Sequence, residues 1–458
     1  MNLQPPGIAG RNLFVITTRF RLKDCRNDSI CKFLVCNFLY RTQFKIVTTI
    51  REFNNTAMPD DRVLIDKIQK LTDELEPEIV ALRRVFHQSP ELSWKEFETA
   101  KRIVAILEEE GLQVQNGVCG TGVVAEIQGN REGKTIAVRA DMDALPMQDA
   151  KEVSYASKVP GVMHACGHDS HMAIAIGVAK ILKRFEGSFA GKIRFIFQPC
   201  EEAFPSGAHE LVKKGVMQGV DSILALHVDP EIEAGKIGLR KGALTANAGE
   251  FKLSIFGKSG HAARPHQAID TIYLSNQIMT SLYDIVGNRK QSHLPAVLTL
   301  GKIAGGIKSN VIPERVDIGG TIRTVDMQTN DEIVNQIERR VRTITQAAGA
   351  TYSLEFPGLI PSVNNDANLI GLVRDVGNSI LGQDEIVDIA NISMGGEDFS
   401  RYLDRAPGAL IRLGARKPGD QVRYLHTHSF DIDERAIPIG MSIIALSVLK
   451  FLSEASPA

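Results

Sequence analysis

Three histidines, one cysteine and one aspartate lie within residues 163–171. Imidazole nitrogen and thiolate sulfur are preferred ligands of zinc and similar first-row ions, so a cluster this dense favours a metal site. Cys166 and His168 can reach one ion from a single turn if Gly167 lets the backbone bend between them. The alternative is a polar loop whose histidines make ordinary hydrogen bonds, which would better explain a single histidine.

Two adjacent glutamates, Glu201 and Glu202, follow an apolar run that is typical of a strand. Neighbouring side chains in extended backbone point to opposite sides, so one carboxylate can bind metal while the other faces substrate and water. A metal can lower the pKa of its water to about 7, and a carboxylate beside it can pass the proton to a leaving amine. The pair therefore predicts hydrolysis, with a solvated acidic pair as the alternative.

The elements that must position these residues are short runs of branched apolar residues, which predict strands at 135–138, 193–197 and 223–226. Asp141 and Asp143 follow the first strand, the glutamate pair follows the second and His227 follows the third. Ligands in open α/β sheets lie beyond the carboxyl ends of the strands, so these distant segments converge on residues 163–171.

The order of the remaining patterns predicts the domain organisation. Apolar residues at helical spacing predict two surface helices. One begins after Asp60, and the other is predicted by the apolar run over 100–112, with Gly111 as the stop signal. The apolar positions of the first helix are Val63, Ile65, Ile68, Leu71 and Leu75. Strands alternating with helices predict an α/β fold with a mostly parallel sheet flanked by helices, formed by residues 58–245 and 358–458. Strand patterns at 250–256, 298–300 and 317–323, with helical patterns at 268–286 and 331–348, predict a smaller inserted α+β domain over 246–357.

Length and composition limit the class of protein. The 458 residues exceed the usual single-core size, and 43% hydrophobic with 23% charged residues is ordinary for a globular protein. A formal net charge of −1 argues against nucleic-acid binding, and no run of about 18 apolar residues predicts a membrane span. Six cysteines are too few for a disulfide scaffold in so long a chain, which favours a reducing, cytoplasmic location.

Residues 1–57 differ from the rest, with nine Lys/Arg against three Asp/Glu and no sustained period. We expect them to be a disordered extension or sequence ahead of a true start at Met58. A targeting segment is the alternative, although Asp24 and Asp28 fit it only partly.

Several motifs occur together and in order, and on them the chain resembles the dinuclear-metal amidohydrolases of the aminoacylase and carboxypeptidase superfamily. The resemblance covers residues 60–450, and within the superfamily it is to the hippurate hydrolase and auxin-conjugate hydrolase branch, which uses a cysteine as a metal ligand. The motifs lie at 87–92, 139–146, 163–171, 197–202, 260–266, 309–313 and 394–399.

The resemblance implies a metal-dependent amidohydrolase that cleaves the amide bond of N-acyl amino acids, such as hippurate-like conjugates. Two divalent ions, zinc, manganese or cobalt, would activate a bridging water, with Glu201 as general base. The implied ligands are Cys166, His168, Glu202, His227 and His426. Alternatives in the same superfamily are a dipeptidase, an aminobenzoyl-glutamate hydrolase or an N-acetyl amino acid deacetylase. A more remote alternative is a cysteine hydrolase with Cys166 as nucleophile.

The resemblance also implies roles outside the ligand set. His261 would reach into the active site of a partner subunit to stabilise the oxyanion, which predicts a homodimer formed through the inserted domain. Asn310 and Arg323 would contact the substrate, with Arg323 gripping its α-carboxylate, while Asp141 and Asp143 would orient ligands.

Two assignments stay open at the sequence level. The last ligand is His426 by its distance from Phe430, but His428 competes with it. Glu397 and Asp398 either fix their loop or contact substrate.

Overall fold

The computed structural model describes residues 61–287 and 295–454. The interpretations of residues 1–57, including the three cysteines there, lie outside these ranges. The helices within the described ranges are α1 (Asp61–Gln88), α2 (Phe97–Glu109), α3 (His168–Lys183), α4 (Gly207–Lys213), α5 (Thr271–Gly287), α6 (Met327–Ala347), α7 (Ala367–Ile380), α8 (Ser400–Leu403) and α9 (Ala436–Glu454).

Seventeen strands accompany these helices in the described part of the chain. They are β1 (Gln113–Val118), β2 (Gly122–Gln128), β3 (Thr135–Asp141), β4 (Lys192–Gln198), β5 (Ser222–Glu233), β6 (Ile237–Leu239), β7 (Gly242–Ala243), β8 (Asn247–Phe256), β9 (Gly260–His261), β10 (Ala296–Gly305), β11 (Val311–Ile312), β12 (Arg315–Thr324), β13 (Thr351–Glu355), β14 (Leu359–Ile360), β15 (Asn364–Asn365), β16 (Ile386–Asp388) and β17 (Gly408–Arg416).

The larger sheet has eight strands in the order β1-β2-β4-β3-β5-β17-β6-β16. Its centre, β4-β3-β5-β17, is parallel, and antiparallel pairs join β1 to β2, β2 to β4 and β17 to β6. The central strands are buried almost throughout, as expected where helices cover both faces. The predicted α/β class with a mostly parallel central sheet is confirmed.

Two hydrophobic clusters pack against the two faces of this sheet. The larger includes residues of α1, α2, α3, α7 and α9, and the smaller includes residues of α4 and α8. Helix α3 is buried along nearly its whole length. Helix α3 begins at His168, so its N-terminus lies next to the Cys-x-His segment. Packing of α3 into the main core therefore holds this segment in place.

Helix α9 is long and apolar enough to cross a membrane by length and composition, over Ala436–Ser453. However, 72% of that window is buried inside the protein, and α9 belongs to the main core with α1 and α3. Its apolar character is explained by this burial.

The second sheet is antiparallel, with the order β10-β12-β8-β13 and β14 beside β8. Helices α5 and α6 pack against it and share a separate hydrophobic cluster with it. The described residues nevertheless form one compact unit. The division into a catalytic domain and an inserted domain stays a prediction.

The predicted helix after Asp60 exists, but part of its predicted apolar face was wrong. Val63 is 57% exposed, whereas Leu64 and Ile68 are buried. The inward face also carries Thr72 and Arg83, so polar residues obscure the hydrophobic period of α1.

Candidate metal centre

The five predicted metal ligands come from four separate segments and meet at one place. Cys166 and His168 lie at the start of α3, Glu202 follows β4, His227 lies in β5 and His426 follows β17. One set of ligand atoms within 4.8 Å of one another comes from Cys166, His168 and His227, and another from Cys166, Glu202 and His426. Cys166 thus belongs to both sets, and its Sγ lies 3.4 Å from His227 Nε2.

Gly167 explains how Cys166 and His168 reach the same place. Its φ of +89° lies in the left-handed region, and an added Cβ would meet Val228 Cγ2 at 2.3 Å. Only glycine fits both the backbone angle and the available space. The bend that the sequence suggested at this position is present.

The donor set fits a metal ion by an observation independent of the motif. His168 Nδ1 donates to the carbonyl oxygen of Asp143 at 2.8 Å, while its Nε2 is buried and has no hydrogen-bond partner among the described residues. An unsatisfied buried polar group costs about 1–3 kcal/mol. A ligand histidine shows this arrangement, since one ring nitrogen is oriented by a carbonyl and the other is left for the ion.

Asp143 connects the histidine to the glutamate pair. Its two carboxylate oxygens accept hydrogen bonds from the backbone N–H groups of Glu201 and Glu202, both at 3.0 Å, and Ser93 donates to it at 2.6 Å. These bonds fix the backbone from which both glutamates project.

Asp141 orients a different histidine, His171, which the structure excludes as a free ligand. Its Nδ1 donates to Asp141 at 2.6 Å, and its Nε2 accepts from the backbone of Val228 at 3.0 Å. Both ring nitrogens are therefore occupied, although the side chain lies close to His168.

Glu201 lies among other acids at the wall of the site. Its carboxylate oxygen is within 4.8 Å of those of Glu397 and Asp398. Burial raises the pKa of Glu201 well above its ordinary value, and Glu397 and Glu202 raise it further. Glu201 is thus held in an acidic surrounding beside the predicted ligands His168 and Glu202.

A buried arginine holds this acidic group together. The guanidinium of Arg139 donates to Asp141 at 2.6 Å and to Asp398 at 3.0 Å, and it lies 3.2 Å from a Glu397 oxygen. Gln198 donates to both oxygens of Asp398 at 2.8 Å. Asp398 therefore fixes the loop before α8, which answers the choice left open for that residue.

The structure also separates the two histidines that compete as the last ligand. His426 adopts a φ of 59°, rare for a non-glycine residue, and its Nε2 lies 3.1 Å from Glu202 Oε1. Both side chains are exposed, but His426 lines the cavity and His428 does not.

The ligand atoms open into a cavity of about 750 Å³. One wall carries the apolar residues Phe204, Leu244, Ile360, Ile389 and Ile392. Arg323 lines the cavity, and its Nη1 makes only long hydrogen bonds, of 3.4 and 3.2 Å, to the carbonyls of Gly249 and Ile322.

His261 and Asn310 do not line this cavity. They are exposed neighbours on a small ribbon formed by β9 and β11, where Ala262 N–H donates to the carbonyl of Asn310 at 3.1 Å. The predicted roles of these two residues stay predictions.

Two residues at or beside the site were not assigned a role from the sequence, Arg139 and Arg412. Arg139 stands inside a motif but faces inward, which the motif alone does not reveal. Arg412 interrupts the apolar run of β17 and lines the cavity. A charged residue within a buried strand was the available signal.

The site combines clustered cysteine, histidine and glutamate side chains with a neighbouring carboxylate, Glu201, that is outside the predicted ligand set. This combination at a mixed α/β sheet is typical of metal-dependent hydrolases. A family model described as peptidase family M20/M25/M40 matches residues 137–450. The chain belongs to this family, and it is a hydrolase.

Relatives at the level of whole chains agree. The N-acyl-L-amino acid amidohydrolase of Geobacillus stearothermophilus is 41% identical over 316 residues, covering 69% of this chain and 85% of that protein. The IAA-amino acid hydrolase ILR1-like 4 of Arabidopsis thaliana is 36% identical over 381 residues, covering 82% and 86%. The YXEP protein of Bacillus subtilis, described as a dinuclear metal binding peptidase from the M20 family, matches with a TM-score of 0.72 and 33% identity, covering 84% of this chain and all of that one.

Proposed function

We propose that this protein hydrolyses the amide bond of N-acyl amino acids with two divalent ions, zinc, manganese or cobalt, at the ligand cluster. The observation that carries this proposal is the position of Glu201 beside five potential ligands, at a cavity with an apolar wall. The names of the relatives from Geobacillus stearothermophilus and Arabidopsis thaliana support the choice of amide.

Each group of residues has a defined task in this proposal. Cys166, His168, Glu202, His227 and His426 would hold the ions, which when bound supply Lewis-acid polarisation and a water of lowered pKa. Glu201 takes the proton of the attacking water and delivers it to the leaving nitrogen. The apolar wall accommodates the acyl group, and Arg323 binds the α-carboxylate of the amino acid.

Dipeptides, aminobenzoyl-glutamate and N-acetyl amino acids remain alternative substrates within the same chemistry. A cysteine hydrolase is less well supported, because burial raises the pKa of the Cys166 thiol well above its ordinary value, and Glu202 and Glu201 raise it further. A catalytic cysteine needs the opposite shift.

The test combines metal analysis with assays on a panel of N-acyl amino acids and dipeptides. We expect about two ions per chain, loss of turnover with EDTA and its return with added metal. Glu201→Gln should keep the metal content while turnover falls by roughly a hundredfold or more. Turnover that survives EDTA but is abolished by thiol alkylation would instead support the cysteine hydrolase.

We propose further that the protein acts in the cytoplasm as a homodimer in which His261 serves the partner's site. The exposure of His261 outside the cavity supports delivery to another subunit, and the free thiols of Cys119, Cys166 and Cys200 suit a reducing compartment. Mixing His261→Ala with Glu201→Gln subunits should restore part of the activity, because one site of each mixed dimer would keep both residues. Mixed dimers without recovery would place His261 outside catalysis.

A further inference from the structure

Arg412 lies in the middle of the central sheet, next to the ligand cluster. It stands opposite His227 in the parallel pair of β17 and β5 and opposite Gly238 in the pair with β6. Side chains at matched positions of neighbouring strands stand on the same face of a sheet. Both Arg412 and His227 line the cavity. The Arg412 side chain therefore starts one strand spacing from a predicted metal ligand.

The charge of Arg412 has no counterpart within the described protein. Its guanidinium makes no hydrogen bond or ion pair with any described residue. By contrast, Arg416, at the end of the same strand, pairs with Glu233 at 3.4 Å, and Arg139 pairs with three carboxylates. A partly buried cation is costly unless it is paired, so a lone arginine in a cavity wall indicates a ligand that supplies the anion.

Gly238 and an aliphatic side chain surround the start of the half-buried Arg412 side chain. Gly238 offers no side chain, and a Cβ built there would lie 3.2 Å from Arg412 Cβ and 3.0 Å from Ile389 Cδ1. The first carbon of the Arg412 side chain therefore lies close to Gly238 and Ile389, and the residue is one of those that line the cavity. Two acids of the same cavity lining, Asp229 and Glu231, make no ion pair or hydrogen bond with Arg412.

The cavity lining thus contains two arginines, Arg412 from the larger sheet and Arg323 from the second sheet. A simple N-acyl amino acid has a single carboxylate, which Arg323 accounts for in the proposed function. We propose that Arg412 binds a second carboxylate, so that the preferred substrates are N-acyl amino acids with two carboxylates. This inference rests on the proposed function and adds the substrate class.

The second carboxylate can belong to either half of the substrate. It can lie on the amino-acid side chain, as in N-acetyl-L-glutamate, or on the acyl group, as in N-succinyl-L-valine. Each of these dicarboxylates has a monocarboxylate partner of nearly the same shape, in which an amide replaces the second carboxylate: N-acetyl-L-glutamine and the succinamoyl derivative of L-valine. Comparing kcat/KM within each pair shows which half reaches Arg412.

In the wild-type protein, at least one dicarboxylate should be cleaved with a kcat/KM about 10- to 100-fold higher than that of its monocarboxylate partner, the range expected for a charge-assisted hydrogen bond. Arg412→Met should abolish this preference by lowering kcat/KM for the dicarboxylate alone, and Arg412→Lys should keep part of it. Arg405→Met is the matched control, because Arg405 is an exposed arginine that does not line the cavity.

Equal rates within both pairs in the wild type would overturn the inference, and so would a preference that Arg412→Met leaves intact. Neither result would affect the proposed function. If instead the metal-loaded enzyme cleaves no N-acyl amino acid, with either one or two carboxylates, the proposed function itself fails.

Discussion

At the scale of single residues, Asp143 does more than orient one ligand. Its carboxylate accepts from the backbone of both glutamates, and its carbonyl accepts from His168. The ordering of Glu201, Glu202 and a ligand histidine therefore depends on one side chain and its own backbone. The sequence placed Asp143 near the site because it follows a predicted strand, but it could not indicate these particular bonds.

Asp143→Asn tests this role with little change of volume. One carboxylate oxygen becomes an NH₂ group, which cannot accept the hydrogen bond of the backbone N–H that faces it. The backbone of Glu201 and Glu202 should therefore shift. We expect kcat to fall by about 10- to 100-fold with a smaller loss of metal affinity. Steady-state kinetics and metal titration measure both effects, with Ser93→Ala as a milder control that removes one hydrogen bond to the same oxygen. Wild-type kcat in Asp143→Asn would contradict the assignment.

The hydrogen-bond partners of Arg139 could not be predicted from the sequence. The ligand types and their spacing are chemical information that the sequence contains, whereas the partners of a buried arginine depend on packing between β3, β4 and the loop before α8. Arg139, Gln198 and Asp398 are far apart in sequence and meet only after folding.

At the scale of elements, branched apolar runs correctly predicted β3, β4 and β5, whose signal is strong because strands buried on both faces contain few polar residues. The strand patterns of the second sheet correctly predicted β8, β10 and β12, and in β8 and β12 buried residues alternate with more exposed ones. Short or exposed strands such as β1 and β16 lack this signal, since their residues are mostly exposed or half-buried. The face of α1 was partly misassigned because Arg83, buried and paired with Asp169 at 2.7 Å, belongs to its inward side.

The start of α3 depends on Gly167, and this element offers a sharp test. Gly167→Ala adds a methyl group against Val228 and forces a non-glycine residue to a φ of +89°. A left-handed residue costs roughly 1–2 kcal/mol even without the clash. We expect the variant to bind less than the wild-type amount of metal and to unfold at a lower temperature, measured by metal analysis and calorimetry.

Adding Val228→Ala separates the two causes of that loss. The double variant removes the contact at 2.3 Å but keeps the unfavourable backbone angle, so it should recover part of the metal binding. Gly219→Ala is a control for the angle alone, because Gly219 has a φ of +72° with no atom within 4 Å of an added Cβ. Full metal binding by Gly167→Ala would show that the bend is not required.

At the scale of the whole molecule, the sequence predicted that distant segments converge, because the carboxyl ends of parallel strands meet at one edge. It could not give the orientation of the second sheet, which places Arg323 in the cavity and leaves His261 outside it. That orientation depends on contacts between sheets rather than on any local period. The proposed dimer depends in the same way on surfaces rather than on a local period, and the surface of the second sheet offers a test of it.

Strand β10 lies at the end of the second sheet and exposes apolar side chains, with Val297 41% and Ile303 56% exposed. In the proposed dimer we expect this edge to contact the partner subunit, because uncovered strand edges pair readily with another chain. We expect the double variant Val297→Asp/Ile303→Asp to sediment as a monomer. Its kcat should fall by roughly a hundredfold, as for other losses of an oxyanion donor.

The matched control is Phe97→Asp, because Phe97 is 61% exposed on α2, outside the second sheet. This variant should remain dimeric and active, which would separate the loss of an interface from a general effect of surface charge. Activity that rises with the concentration of the β10 variant would link assembly to catalysis, as delivery of His261 requires. A wild-type protein that is monomeric and fully active at assay concentration would contradict both the dimer and the role of His261.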